Sequence, residues 1–170
     1  FQRDKFINHT DLTYDGNWGA KLYDTIQSDG LCIDENIAKS CHKWATNVVI
    51  PSYVTGISAN AFVGCVNLKT VSIPNSVVSI GSTAFDSCTS LIEITIPDGV
   101  TTIENDTFSR CPNLTSVNIP NSITKIGNSA FAHCTSLTSV NIPNSVTTIG
   151  TYAFCYCNSL TSVNIPDSVT

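Results

Sequence analysis

From about Ala45 to Thr170 the sequence repeats every 23 residues, and this period constrains the fold more than any other feature. Leucine recurs at Leu68, Leu91, Leu114, Leu137 and Leu160. Proline recurs at Pro51, Pro74, Pro97, Pro120, Pro143 and Pro166, and phenylalanine at Phe62, Phe85, Phe108, Phe131 and Phe154. A fixed period of this length means that each unit is one supersecondary turn, able to bury its apolar face only against its neighbours. The expected architecture is a solenoid, with function carried on a surface.

One unit, residues 114–136, shows how a coil is built. Ser116–Asn118 alternates polar and apolar residues into Ile119, the period-2 signature of a half-buried strand with Val117 and Ile119 inward. Pro120 has no N–H to give to a ladder and ends the strand. Asn121 and Ser122 supply turn chemistry, and Gly127 suits a bend or a positive φ. Ala130, Phe131 and Cys134 are spaced for a short helical or 3₁₀ turn. With Leu114, Ile123 and Ile126, eight of the 23 residues face inward. Strands of successive coils should pair in parallel at roughly 4.8 Å, giving a sheet of about six strands.

The pattern L-x-x-V-x-I-P-x-x-V-x-x-I-G-x-x-A-F-x-x-C resembles the BspA-like class of leucine-rich repeats. Its I-P, I-G and A-F-x-x-C elements recur through five full units and a partial sixth. Ala45 replaces the leading Leu, Ser58 and Glu104 replace Gly, Thr107 replaces Ala, and Ser145 stands where the general leucine-rich pattern has Asn or Cys. The resemblance implies a right-handed α/β repeat with a parallel sheet on the concave face. It also implies a non-enzymatic cell-surface or secreted adhesion protein whose partners are proteins, including host or extracellular-matrix proteins, or glycans. The alternative is a cytoplasmic scaffold or self-assembling structural component.

Residues 1–44 lack the period and read as an N-terminal tail and cap, with 45–170 the solenoid. In the cap, Leu31–Ile33 suits an edge strand. Asp34 is placed to cap a helix over Glu35–His42, and Trp44 to seal the first coil. The chain starts at Phe1, contains no Met, and reaches Thr170 halfway through a unit, so it reads as an excerpt truncated at the C-terminus. An edge strand at Leu160–Ile165 left uncovered would favour homo-association.

The formal charge of −5 argues against a sequence-independent nucleic-acid binder, which must neutralise phosphates with Lys and Arg. No apolar run approaches the ~20 residues of a membrane-spanning helix. Residues 45–170 carry three Lys/Arg and six Asp/Glu, so recognition there should be short-range.

Outward strand positions form two columns, the candidate ligand-binding face: Asn47, Thr70, Glu93, Ser116, Ser139, Ser162, and Val49, Ser72, Thr95, Asn118, Asn141, Asn164. Cys65, Cys88, Cys111, Cys134 and Cys157 form a ladder. Parallel Cβ vectors about 5 Å apart suit buried free thiols better than disulfides. Cys32 and Cys41 are a candidate cap disulfide, and Cys155 an extra thiol at a position that tolerates polar residues. Asn8, Asn105 and Asn113 head glycosylation sequons. Cys41–His42 and His133–Cys134 are sequence neighbours whose side chains should point apart, unlike a nucleophile and its base. Neither a catalytic motif nor a metal or cofactor motif is present in the sequence.

Overall fold

A computed structural model describes residues 29–170. The sequon at Asn8 and the N-terminal tail lie outside the described residues. Thirteen short strands run through the described residues: β1 Leu31–Asp34, β2 Ile37–Cys41, β3 Asn47–Val49, β4 Gly56–Ile57, β5 Thr70–Ser72, β6 Ser79–Ile80, β7 Glu93–Thr95, β8 Thr102–Ile103, β9 Ser116–Asn118, β10 Lys125–Ile126, β11 Val140–Asn141, β12 Thr148–Ile149 and β13 Val163–Asn164. We number the coils from their leading residues: coil 1 is 45–67, coil 2 is 68–90, coil 3 is 91–113, coil 4 is 114–136 and coil 5 is 137–159.

All eight inward positions of coil 4 are buried, from Leu114 at 0% to Val117 at 9% exposure. The equivalent residues of neighbouring coils join them in one continuous apolar core. Five phenylalanines stack along it, with ring centroids 4.7–5.4 Å apart and planes within 12° between successive rings. Burying such a ring is worth about 1.5–3 kcal/mol, with about 0.5–1.5 kcal/mol more from each aromatic contact.

First strands 23 residues apart do pair in parallel at three places, as Asn47↔Thr70, Glu93↔Ser116 and Val140↔Val163 show. The expected six-stranded sheet is nevertheless divided into three pairs, β3–β5, β7–β9 and β11–β13. A second ladder, absent from the sequence reading, runs along another side. It joins β2, β4 and β6, then β8, β10 and β12.

The expected helical turn around Ala130–Cys134 is not formed, and no helix occurs among the described residues, so the α/β description gives way to a coil of strands and turns. Residues four apart adopt positive φ in every full coil: Asn60 and Gly64, Thr83 and Ser87, Asp106 and Arg110, Ser129 and His133, Tyr152 and Tyr156. Left-handed residues at these two places turn alternate N–H groups toward the next coil. The amides of Asn60, Phe62 and Gly64 donate to the carbonyls of Ser82, Ala84 and Asp86, and the same triplet recurs through coil 4, with N···O 2.7–3.1 Å. The intervening amides close turns inside the coil, as from Ala61 to Ser58 and Cys65 to Phe62. A helix would have used all these donors internally and left adjacent coils unbonded.

Gly127 does not have the positive φ that the sequence suggested. Its role is close approach: a Cβ there would lie 2.6 Å from Asn105 N and Glu104 C, and Gly81 and Gly150 meet the preceding coil in the same way.

The cap also departs from expectation. Glu35 and Asn36 have φ of 48° and 60°, the signature of a two-residue type I′ turn, so Asp34 leads into a hairpin and not a helix. Residues 37–41 become β2, which extends the second ladder through Ile37↔Gly56 and Ala38↔Ile57. Fully buried Leu31 and Ala38 seal the core, while Trp44, expected there, is 45% exposed and stacks on His42. Asp29 ties the cap to the solenoid, accepting from Leu31 N and Val49 N at 3.1 Å each.

Candidate functional site

Two exposed surfaces run along the solenoid. On the strand side, every member of both outward columns is exposed, including Glu93, Thr95, Ser116, Asn118, Ser139, Asn141, Ser162 and Asn164. The strand conformation alternates their side chains away from Val117 and its equivalents. The surface offers hydroxyls, amides and one carboxylate. Within it, Thr70 donates to Asn47 Oδ1 at 2.7 Å.

The second surface is the ridge of left-handed turn residues, which the sequence reading did not identify. Its exposed members include Arg110, His133, Tyr152 and Tyr156. His133 and Tyr156 stack with centroids 4.6 Å apart and planes 15° apart. Arg110 pairs with Asp86 and donates from Nε to Ser87 Oγ at 3.1 Å, linking coils 2 and 3. Asp86 is buried, and its Oδ1 has no partner among the described residues. The signal for the ridge was present in coil 1, where Asn60 and Gly64, two residue types that suit positive φ, stand four apart.

All eight cysteines are free. In the ladder, Cys88, Cys111, Cys134 and Cys157 each donate S–H to the Phe carbonyl of the preceding coil at 3.1–3.2 Å. Burial pushes the thiols of Cys88, Cys111 and Cys134 well above the ordinary value, so they remain protonated. Cys41 belongs with this ladder: Cys65 Sγ lies 3.5 Å from the Cys41 carbonyl, and the hydrogen bond between the two thiols, with burial, pushes Cys41 up. The candidate Cys32–Cys41 bridge is not made. The hairpin register pairs Leu31 with Cys41 and Cys32 with Ser40, which sets the two cysteines on opposite faces. Cys155 is half-buried beside the ridge.

His133 is exposed and Cys134 buried, so no nucleophile–base pair forms there. No cluster of three or more potential metal ligands occurs among the described residues. Of the sequons, Asn105 is exposed and its Oδ1 accepts from Asn128 N at 2.8 Å. Asn113 is also exposed, but its Nδ2, the atom a glycan would occupy, donates to Thr89 O at 2.7 Å. No helix in the described residues is long and apolar enough to cross a membrane.

Residues 55–170 match six copies of the BspA type leucine rich repeat region. Among solved structures, the Treponema pallidum leucine-rich repeat protein is 40% identical, with a TM-score of 0.75, over 84% of this chain and 70% of that one. A leucine-rich repeat protein from Bacteroides ovatus is 34% identical, with a TM-score of 0.73, over 84% of this chain and 39% of that one. The pneumococcal vaccine antigen PcpA shares the fold at 18% identity and a TM-score of 0.69, over 83% of this chain and 40% of that one. No functionally curated protein matches the chain.

Proposed function

We infer that this chain, which belongs to the BspA-type leucine-rich repeat family, is a non-enzymatic binding protein of the cell surface or secreted space, recognising proteins or glycans through its solenoid surface. The observation that carries this reading is the strand side: two columns of exposed, mostly uncharged hydrogen-bonding side chains held in register over six strands. Regular donors and acceptors on a preformed scaffold suit an extended ligand, and repeat proteins use such surfaces for binding. Fold alone does not assign a ligand, so the reading also draws on what the family implies.

The test is binding of the purified chain to immobilised extracellular-matrix proteins and to a panel of oligosaccharides, together with antibody access on intact producing cells. Saturable binding and access on unbroken cells are expected. Failure of both would sink the reading. Eight free cysteines suit a scaffold in a reducing compartment as well. Non-reducing mass spectrometry of native protein separates the two readings, since glycan mass on Asn105 or an intermolecular disulfide at Cys32 or Cys155 would place the protein outside the cytosol.

A further inference from the structure

Comparison of the coils with one another separates the two surfaces. The text Leu-Thr-Ser-Val-Asn-Ile-Pro is identical at 114–120, 137–143 and 160–166. The ridge positions of the same array differ in every coil: Asp106, Ser129 and Tyr152 in one column, Arg110, His133 and Tyr156 in the other. The two largest aromatic replacements fall together in coil 5, and both are exposed, Tyr152 at 70% and Tyr156 at 61%.

These tyrosines are not explained by local structure. Both sit at positive φ, 60° and 58°, where bulky side chains are disfavoured and Asn or Gly would be easier. Neither belongs to the core. Tyr156 extends over coil 4 to stack on His133, so aromatic surface spans two adjacent coils. Backbone bonds hold those coils in register beneath it: Ser129 N to Thr151 O at 2.9 Å, Phe131 N to Ala153 O at 2.8 Å and His133 N to Cys155 O at 2.8 Å.

The surroundings define the ligand chemistry. From residue 126 to residue 166 the chain contains no Asp, Glu, Lys or Arg, and the charged ridge residues next in line, Asp106 and Arg110, lie one coil away in coil 3, with Arg110 paired to Asp86. The neighbouring residues Asn128, Thr151 and Asn158 are polar and exposed, with Asn128 Oδ1 accepting from Thr151 N at 2.9 Å. An aromatic patch flanked in sequence by neutral donors and acceptors, with the neighbouring Arg110 already paired to Asp86, offers little to a phosphate or a charged peptide. It suits a molecule with one apolar C–H face and many hydroxyls, since the face can lie on the ring and the hydroxyls can pair with amides and alcohols.

We propose that the Tyr152–Tyr156–His133 ridge of coils 4 and 5 is a binding site for a neutral oligosaccharide. This deepens the binding-protein reading and rests on it, but it moves the discriminating contacts from the strand side to the turn ridge.

The repeat itself supplies the variant. Tyr152→Asn with Tyr156→Gly installs the residues that coil 1 carries at Asn60 and Gly64, so the left-handed backbone is kept and made easier. The control is Tyr53→Ser, exposed on coil 1 and outside both surfaces, and the strand-side variant Asn118→Ala with Asn141→Ala tests the competing columns. Cellotetraose, N-acetylchitotetraose and lacto-N-tetraose are titrated to millimolar concentration and followed by saturation-transfer NMR at the tyrosine rings. At least one sugar should bind, the ridge variant should weaken it about tenfold or more, and the Tyr53→Ser control should leave it unchanged. The ridge variant should also melt no lower than the parent, which separates lost binding from lost structure. Sugar binding abolished by the strand-side variant and untouched by the ridge variant overturns the ridge assignment while leaving the binding-protein reading intact. Absence of binding by all three sugars overturns the oligosaccharide assignment. The parent reading is then judged separately on the matrix-protein result.

Discussion

The strand side and the turn side of this solenoid divide the work of cohesion in the opposite way to their appearance. The strand side carries the periodic, easily recognised text, yet its ladder is broken into three pairs. The turn side has no regular secondary structure by name, yet it makes three amide bonds across each of the four interfaces between coils 1 and 5. The stacked phenylalanines and the cysteine S–H donors lie behind this same side. Regularity of side-chain pattern and continuity of hydrogen bonding are therefore separate properties. Here the irregular-looking segment is the spine.

Alkaline pH should attack that spine most strongly. Cys88, Cys111 and Cys134 have folded-state pKa values raised by burial, so their contribution is present below the ordinary thiol value of 9.0 and is lost as pH rises above it. Above that value the unfolded chain releases protons that the folded one retains, at about 1.4 kcal/mol per pH unit for each thiol, or roughly 4 kcal/mol per unit together. Chemical denaturation at pH 8, 9 and 10 reads the loss. A flat profile would show that the thiols are not sealed in the core.

Next in size is truncation on either side of the same core. Phe108→Ala removes a ring stacked on both faces and should cost about 3–5 kcal/mol, whereas Ile94→Ala on the strand side should cost about 2–4 kcal/mol. Guanidinium midpoints compare them, and equal or reversed losses would place the spine on the strand side. Smaller again is the contrast between two glycines. Gly127→Ala drives a Cβ into backbone and should cost about 1–3 kcal/mol, while Gly64→Ala meets open space and should cost about 1 kcal/mol from its positive φ alone. The smallest effect is kinetic. Amide exchange at Phe85 and Phe108 should be slower than at Ile92, whose bond to Lys69 O is 3.3 Å.

The core was legible because each buried position repeats at a fixed interval in residues whose burial is unambiguous. Leu114, Ile123, Phe131 and Cys134 needed no structure to place them. The strands β4, β6, β8, β10 and β12 were not legible, because two residues are too few to show a period of two. The turn ladder was hidden for another reason. After Asn60 and Gly64, its left-handed positions are filled by Thr, Ser, Asp, Arg, His and Tyr, none of which announces positive φ strongly. In the cap, Asp34 read as a helix cap, whereas it leads into a hairpin. The decision lay with Glu35–Asn36 and with the sheet edge at Gly56, which only a long-range contact supplies. The candidate site follows the same division: the strand columns could be read from alternation, whereas the ridge depends on a backbone conformation that side-chain pattern signals only in coil 1.

The direction of the turn ladder has an electrical consequence. In every interface its three amides point from the lower-numbered coil to the higher, as Phe62, Phe85, Phe108 and Phe131 each do. Ordinary strands alternate their peptide dipoles and nearly cancel them, but these add head to tail as in a helix. The turn side thus carries a local field along the solenoid axis, more positive toward coil 5 and more negative toward coil 1. A partner lying along that side would meet a surface with a sense of direction, even where no charged side chain is present.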